Sequence, residues 1–334
     1  MRFSSFLAAW ALAAPLTTAA LGQTPAAVSA TPRISGYIQP RFQAVGDSAT
    51  FLLRRARFAL EGSLTPWASY RAQVEMRTTG APATPPATPL TVSITDLFVR
   101  LTHQRWSATV GQFRVPFALE SLLSSGILET TERSRIVTAA RRDIGAELEW
   151  RLPDRLTLQG AVVNGEGPNR AVNPDNRMAY FARATITPVK GLDLGGAFAG
   201  YSDSAEVDGQ AMYRTTRGVV RAEYIRDRNR RTDVRTVGWY AFAGYIVTPR
   251  RIELLGRVEQ YDPSDRVATD RSTGYLVGLQ YFIRGDDFKV MADYELFREQ
   301  VCSSRTTAGW CSCRCAGEKR APRCPPFHRS IIPP

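Results

Sequence analysis

Arginine is the residue type through which this sequence could do chemistry. The 334-residue chain has 43 basic residues against 31 acidic ones, and its only lysines are Lys190, Lys289 and Lys319. A guanidinium group keeps its charge at any physiological pH, and its planar donors can bind two oxygens of one phosphate or carboxylate. The composition therefore indicates contacts with anions, with nucleic acid, or with carboxylates inside the protein itself.

Other chemically versatile residues are scarce. The chain has two histidines, His103 and His328, and no cysteine before residue 302. Metal sites, histidine triads and thiol catalysis need those residue types, so we expect no catalytic residue, no bound metal and no cofactor. Gly165 and Gly167 precede a polar stretch rather than a helix, which argues against a nucleotide site. The sequence predicts a protein that is not an enzyme.

The arginines lie in segments that alternate with a period of two, which is typical of β-strands. Between Arg55 and Leu64, the arginines fall on one face and Phe58 and Leu60 on the other. The polar face carries the arginines that we predict to line a pore and contact anions: Arg41, Arg55, Arg57, Arg71, Arg77, Arg100, Arg183 and Arg257. The pattern leaves the facing of Arg221 open. The carboxylates on the same face are Glu61, Glu75, Glu147, Glu149, Asp293 and Glu295. Each arginine could therefore neutralise a carboxylate instead of contacting an ion.

Alternating runs recur along the chain and are separated by turn-forming residues. The predicted short turns are Thr65-Pro66, Pro153-Asp154, Thr187-Pro188, Thr248-Pro249 and Gly285-Asp286-Asp287. The predicted long polar loops are 164–177, 202–217, 226–236 and 261–273. Short turns at one end and long loops at the other are typical of transmembrane β-barrels. We predict an all-β, antiparallel, porin-like barrel with about fourteen or fifteen strands before residue 300.

A secreted β-sandwich would alternate in the same way. Here, however, the polar face is densely charged along many runs, and a closed barrel in lipid satisfies every backbone group without leaving an edge. Aromatic residues near the ends of the runs would form the interfacial girdles of such a barrel. The predicted girdle residues are Trp67, Tyr70, Trp106, Trp150, Trp239, Tyr240 and Tyr281.

Both ends of the chain differ from its middle. Residues 1–22 combine a basic start, an apolar stretch and a small-residue site before Gln23, as a secretory signal does. We therefore expect export, and a barrel over 23–300 in the outer membrane of a Gram-negative cell. Residues 301–334 hold all five cysteines and do not alternate. We expect this stretch to be a disordered tail that replaces the last strand after a change of reading frame or an assembly error near residue 300.

One connection, from about residue 114 to residue 142, is much longer than the others. A connection of this length inside a regular meander is usually functional. Because it is partly apolar, we expect it to fold inward against the barrel wall as a constriction loop, with an exposed outer loop as the alternative. Its charged residues are Arg114, Glu120, Glu129, Glu132, Arg133, Arg135, Arg141 and Arg142.

The same region resembles a known family. Its series is Gly111-Gln112-Phe113-Arg114-Val115-Pro116-Phe117, Leu119-Glu120, Glu132-Arg133-Ser134 and Arg141-Arg142-Asp143-Ile144-Gly145. This spaced series is similar to the phosphate-selective porin O/P family, and the resemblance extends over about residues 34–300. It implies an outer-membrane, usually trimeric, sixteen-stranded porin. It also implies a third loop that folds inward and basic residues that guide anions.

The sequence departs from that family pattern in two ways. The resemblance implies lysines at the constriction, but none lies between residues 114 and 142, which favours a general anion preference over phosphate specificity. The second departure is at the C-terminus, where we expect the family's final strand to be missing. We therefore expect passive diffusion of small anions of the phosphate or polyphosphate class, contact with outer-membrane lipid, a homotrimer, and no nucleic-acid partner. A general or sugar-type diffusion porin and a plugged structural barrel stay open as alternatives.

Overall fold

A single antiparallel sheet of fifteen strands makes up the computed structural model, which describes residues 31–78, 90–137, 141–249 and 251–299. The strands are β1 (Arg33–Val45), β2 (Ser48–Thr65), β3 (Ala68–Thr78), β4 (Leu90–His103), β5 (Trp106–Arg114), β6 (Arg142–Leu152), β7 (Leu156–Val163), β8 (Ala179–Val189), β9 (Leu192–Gly200), β10 (Ser204–Arg214), β11 (Gly218–Asn229), β12 (Arg235–Thr248), β13 (Ile252–Asp262), β14 (Ser272–Arg284) and β15 (Phe288–Glu299). A four-residue helix, α1 (Leu119–Leu122), follows β5. Across the described ranges, no helix has the length and apolarity needed to cross a membrane.

The two faces of the sheet are inverted relative to those of a soluble protein. Ile34 and Phe51 on the outer face are 77% and 83% exposed, whereas Arg57 and Glu75 on the inner face are 4% and 5% exposed. Most large apolar side chains of the strands thus point away from the interior, and most charged ones point into it. This arrangement suits a barrel whose exterior faces lipid and whose interior is polar. The predicted all-β, porin-like fold is confirmed.

The connections differ at the two ends of the sheet. At one end every connection is two or three residues long: 66–67, 104–105, 153–155, 190–191, 215–217, 249–251 and 285–287. At the other end the connections are 46–47, 79–89, 115–141, 164–178, 201–203, 230–234 and 263–271. Because the described residues form an odd number of strands, β1 begins at the short-turn end and β15 finishes at the long-loop end.

Strand β10 corrects the prediction of a polar loop over 202–217. It occupies Ser204–Arg214 and pairs in register with both β9 and β11. Glu206 and Asp208 point inward. Val207 is one of only two large apolar or aromatic residues on the outer face of β10, with Tyr213. A strand whose inner face is acidic and whose outer face consists mostly of small residues has the composition of a loop, which is why its alternation is hard to see in the sequence.

Three smaller predictions are also wrong. Strand β11 continues to Asn229 into the predicted loop 226–236. Thr187 and Pro188 lie within β8, and the turn falls at residues 190–191 instead. Tyr240, which was predicted to be a girdle residue, points inward and is 1% exposed, because it pairs in register with the inward Glu223 and Glu259.

Outward aromatic residues form a belt at each end of the sheet, as residues at a membrane–water interface do. The belt at the short-turn end contains Trp67, Trp106, Tyr213, Tyr245 and Tyr281. The belt at the long-loop end contains Phe42, Tyr180, Tyr224, Trp239 and Tyr275. The two belts bound the outer face in which Val220, Leu254 and Val277 are exposed.

The first and last strands are edges within the part of the chain that the structure describes. There, β1 pairs with β2 alone and β15 with β14 alone. The signal segment 1–22 and the tail 301–334 lie outside the described residues, so the export signal, the disordered tail and the altered reading frame stay predictions.

Candidate functional site

Residues 115–137, which we call the inward segment, lie inside the curve of the sheet. Gln39 on β1 donates to the Ser125 carbonyl at 2.9 Å. Lys289 on β15 donates to the Leu128 carbonyl at 3.1 Å. Because strands from both edges of the sheet contact this one segment, the sheet curves around it.

Apolar contacts fix one side of the inward segment. The Phe117 side chain is fully buried and packs edge-on against Phe181 of β8, with 6.4 Å between ring centroids. At the far end of the segment, Ile136 lies so close to β12 that a Cβ on Gly238 would be 2.3 Å from its Cγ2. Glycine at position 238 therefore makes room for Ile136.

Buried ion pairs and hydrogen bonds fix the other side. Glu120 is fully buried, accepts from the Ser134 amide at 2.8 Å and pairs with Arg221 of β11 at 3.3 Å. Arg221 also pairs with Glu129 at 2.5 Å. Glu223 of β11 accepts from the Leu119 amide at 2.6 Å, at the start of α1. Glu120, a predicted constriction residue, therefore anchors the segment and does not face open space.

Glu132 is the charged residue at which several arginines meet. Arg41 of β1 contacts its carboxylate at 2.7 Å and Arg55 of β2 at 3.1 Å, and Arg54 forms a third ion pair. Burial alone would raise the pKa of Glu132, but the hydrogen bond from Arg54 and the charges of Arg55, Arg54 and Arg41 outweigh it and lower the pKa to about 2. The three guanidinium groups share one negative charge, so this cluster keeps a positive excess.

A β-bulge explains how two consecutive arginines reach the same carboxylate. In the pairing of β1 with β2, Gln39 lies opposite Arg55 and Pro40 lies opposite Leu53, so Arg54 has no partner in the ladder. A bulge inserts one extra residue into a strand and re-aims side chains near it. Regular alternation would have placed Arg54 on the lipid face, which is why the sequence pattern does not predict it for the pore.

A cavity of about 660 Å³ lies between the inward segment and the wall of the sheet. Its arginines are Arg54, Arg55, Arg57, Arg77, Arg133, Arg135, Arg142 and Arg257. Its carboxylates are Glu75, Glu132 and Glu295. The remaining lining includes Ser93, Thr95, Asn169, Tyr261 and Phe297. Eight arginines against three glutamates make this lining strongly basic.

Six of the eight cavity arginines have acidic partners. Arg54 and Arg55 share Glu132, as described above. The other pairs are Arg57–Glu75 at 2.5 Å, Arg77–Glu75 at 4.0 Å, Arg142–Asp96 at 2.6 Å, Arg257–Glu259 at 3.0 Å and Arg257–Glu295 at 3.2 Å. At least part of the charge of these six arginines therefore neutralises nearby carboxylates and is not available to a passing ion.

The guanidinium groups of Arg133 and Arg135 form no ion pair with a carboxylate among the described residues, although the Arg135 backbone amide donates to Glu259 at 3.3 Å. Arg133 donates to two backbone carbonyls, those of Glu120 and Leu123, each at 2.7 Å. Burial lowers the pKa of Arg133, the charge of Arg55 lowers it further and Glu120 raises it, which leaves it at about 10. The guanidinium of Arg135 stacks 3.6 Å from the ring centroid of Phe297. Since its pKa lies well above 7, Arg133 remains cationic at neutral pH.

The structure separates the remaining predicted residues from the cavity. Arg41, Arg71, Arg100, Arg114, Arg183, Glu120 and Arg141 do not line it. Arg71 pairs with Glu61 and Asp96, and Arg141 pairs with Glu206 at 2.7 Å beside Phe117. Arg100, Arg114 and Arg183 hydrogen-bond neutral groups: Thr109, the Leu122 carbonyl, and the pair Gln159 and Gln210.

The chain matches a protein-family profile described as phosphate-selective porin O and P over residues 35–205 and 192–304. No curated protein matches it. Among solved structures, it is similar to an anion-selective porin from Comamonas acidovorans (11% identity, 87% of this chain and 96% of that chain covered, TM-score 0.60). It is also similar to the outer membrane channel DcaP of Acinetobacter baumannii (11%, 84% and 94%, TM-score 0.56). The trimer form of OmpT, an outer membrane protein of Vibrio cholerae, matches as well (10%, 80% and 89%, TM-score 0.58). At these identities the three structures show a shared fold.

Proposed function

We propose that this chain, which belongs to the phosphate-selective porin O and P family of the outer membrane, is a passive diffusion channel for small anions, inorganic phosphate among them. The observation that carries the proposal is the cavity beside the inward segment, where eight arginines face three glutamates. Rings and ladders of charge lining a pore set its ion selectivity. A cavity with this excess of arginine attracts anions and repels cations.

Arg135 supports the proposal most directly. It lines the cavity, its guanidinium group forms no ion pair among the described residues, and that group is stacked on Phe297. A cation stacked on an aromatic face keeps its outer edge free for donors to a passing anion. Water keeps such contacts weak, since two unit charges at about 4 Å attract by only about 1 kcal/mol in bulk water. Weak contact is what a diffusion channel needs.

A planar lipid bilayer under a KCl gradient tests the proposal. We expect the full-length protein to give a reversal potential of the sign set by chloride, and added phosphate to reduce the chloride current. Substitution R135Q should lower the anion-to-cation permeability ratio roughly sevenfold, because one unit charge at about 7 Å in water attracts an anion and repels a cation by about 0.6 kcal/mol each. R135K should restore most of that loss.

A matched control and three contrary outcomes sharpen this experiment. R105Q removes one charge at a short turn between β4 and β5 and should leave the ratio unchanged. Cation selectivity of the unmodified protein would overturn the proposal. Selectivity for neither ion, with facilitated sugar flux, would favour a general or sugar-type porin. Absence of conductance by a folded, inserted protein would favour a plugged structural barrel.

We also propose that the protein is exported by residues 1–22 and assembles as a homotrimer. The apolar stretch of that segment and its small-residue site support export. One of the similar solved structures is described as a trimer form, which supports the second point. Mass measurement of the protein in detergent distinguishes a trimer from a monomer, and N-terminal sequencing of protein from the outer membrane identifies the mature start.

A further inference from the structure

An arginine cluster lies on the outside of the sheet at its long-loop end. Alternation along β11 puts Val220 and Tyr224 on the outer face, and Arg226 and Arg228 continue the same face. Arg228 lies directly opposite Arg235 of β12, so these two side chains also share that face. None of these three arginines lines the cavity, so the proposed permeation of anions does not account for them.

The cluster lies just beyond the aromatic belt. Tyr224 pairs in register with Trp239, and Arg226 follows two residues later along β11, opposite Val237 of β12 and Val207 of β10. A long basic side chain at this level can lay its aliphatic part on apolar surface and extend its charge toward the interface. The lipid headgroups therefore lie within reach of these guanidinium groups.

The charge of the cluster is not balanced. With the adjoining loops it comprises six arginines: Arg226, Arg228, Arg230, Arg231, Arg235 and Arg266. Three aspartates pair with four of them, in the contacts Arg228–Asp233 at 2.8 Å, Arg266–Asp233 at 3.9 Å, Arg231–Asp203 at 2.6 Å and Arg235–Asp265 at 3.9 Å. Arg226 and Arg230 have no acidic partner in the described ranges. The outward surface at this end of β11 and β12 therefore carries a positive excess next to lipid.

We propose that this outer arginine cluster binds the phosphate groups of a lipid of the outer leaflet, whose acyl chains lie along Val220, Tyr224 and Trp239. Charge complementarity selects the ligand, because guanidinium groups bind phosphate oxygens with paired donors. The position of the cluster, outside the sheet and above apolar residues, selects a lipid over a dissolved ion. Short turns mark the opposite end as periplasmic, which puts the cluster on the cell's exterior side.

The test measures lipid retained by the full-length protein in detergent micelles, by native mass spectrometry. The probes are diphosphoryl lipid A and the same lipid without its phosphates. We expect the unmodified protein to retain the phosphorylated lipid in preference to the dephosphorylated one. The double substitution R226Q/R228Q should reduce this retention about fivefold, which corresponds to about 1 kcal/mol. The control R217Q/R251Q removes two charges at the short-turn end and should retain the lipid as the unmodified protein does.

Additional measurements distinguish lipid binding from the binding of a dissolved ion and from loss of the fold. Inorganic phosphate at millimolar concentration should compete poorly, and displacement of the lipid by free phosphate would overturn the proposal of a lipid site. Equal retention by R226Q/R228Q and the unmodified protein would also overturn it. If the double variant fails to fold, R226K/R228K keeps the charge and should retain the lipid, and its failure to do so while folded would count against the proposal. Reversal potentials in bilayers should be the same for R226Q/R228Q and the unmodified protein, so a failure of anion selectivity is distinguishable from a failure of lipid binding.

Discussion

Glu132 shows how one residue can set the charge of the cavity. Its carboxylate holds Arg41, Arg54 and Arg55 in place and cancels one of their three charges. Like-charged groups at such spacing repel unless an opposite charge lies between them. Glu132 therefore both orders the arginines and moderates the field that they create.

Substitution E132Q should separate these two roles. The variant removes one negative charge from the cavity, so the anion-to-cation permeability ratio should rise. It also leaves three arginines without their common partner, so the free energy of unfolding should fall by about 1–3 kcal/mol, between the values for exposed and fully buried pairs. Reversal potentials and urea unfolding in lipid vesicles measure the two effects. E166Q, in a loop pair with Arg170, is the control, and an equal response of both variants would contradict these two roles of Glu132.

The pKa of Glu132 predicts how acid affects the inward segment. Its pKa in the folded protein, about 2, lies below the ordinary value of 4.5. The ionised carboxylate therefore stabilises the fold fully above about pH 4.5, and that stabilisation is lost as the pH falls toward 2. Urea unfolding should show a steeper loss of stability between pH 4.5 and pH 2 for the unmodified protein than for E132Q. Parallel curves for the two proteins would contradict this assignment.

The residues of the cavity could be predicted only in part. Arg55, Arg57, Arg77 and Arg257 follow from alternation, and Arg133, Arg135 and Arg142 from the long connection. Pairing partners did not follow, because Arg41 and Glu132 are 91 positions apart and nothing local joins them. Alternation shows which face a side chain occupies, but the distance between two such side chains depends on the curvature of the sheet.

At the scale of a strand, the bulge at Arg54 makes an unusual prediction. Since Arg54 has no partner in β1, its deletion should restore regular pairing and leave every other side chain of β2 on its present face. We expect the shortened protein to fold and to lose one contact with Glu132. Deletion of Leu60 from the same strand should instead reverse the faces of part of β2 and prevent folding. Migration of unheated samples in gels measures folding, and failure of both deletions would contradict the bulge.

The apolar anchor of the inward segment makes another prediction at this scale. Phe117 is fully buried against Phe181, so F117A should destabilise the segment by about 3–5 kcal/mol. Strand pairing does not involve Phe117, and the sheet should therefore persist while the segment becomes mobile. Single-channel recordings should then show a larger and noisier conductance. The control F288A, at an outward side chain that is 58% exposed, should leave the conductance unchanged. If F117A also leaves the conductance unchanged, the inward segment does not limit the flow of ions through the pore.

Strands whose two faces differ strongly could be predicted, and those whose faces differ weakly could not. In β2, charged and large apolar residues alternate over many positions, so the strand follows from the sequence. In β10, the outward residues include Gly209 and Ala211, and little distinguishes this face from a loop. Pairing with β9 and β11 makes β10 a strand, and such tertiary pairing overrides weak local patterns.

At the scale of the whole molecule, the inward segment contacts both edge strands of the described sheet. Arg41 of β1 donates to the Thr131 carbonyl at 2.7 Å, and the Thr131 amide donates to Asp293 of β15 at 2.6 Å. The inward segment thus joins edges that share no ladder in the described part of the chain. We infer that it helps to hold the two edges in place.

Substitution D293A tests this role. It leaves the half-buried Thr131 amide without its acceptor, which costs about 1 kcal/mol, and it should broaden the distribution of distances between β1 and β15. Electron spin resonance between labels at Ile38 and Tyr294, both on the outer face, measures that distribution after the native cysteines are replaced by serine. D193A, which removes the acceptor of Thr187 on a distant part of the sheet, is the control. Identical distributions in both variants would contradict the inference.

The odd number of strands in the described sheet determines on which side of the membrane each of its ends lies. Arg33, where β1 begins, emerges on the side of the short turns, and Glu299, where β15 finishes, emerges on the side of the long loops. An antibody epitope joined directly after Glu299 would be accessible on intact cells, while one joined directly before Arg33 would be shielded by the bilayer. Each end of the described sheet is thus a marker for a different compartment.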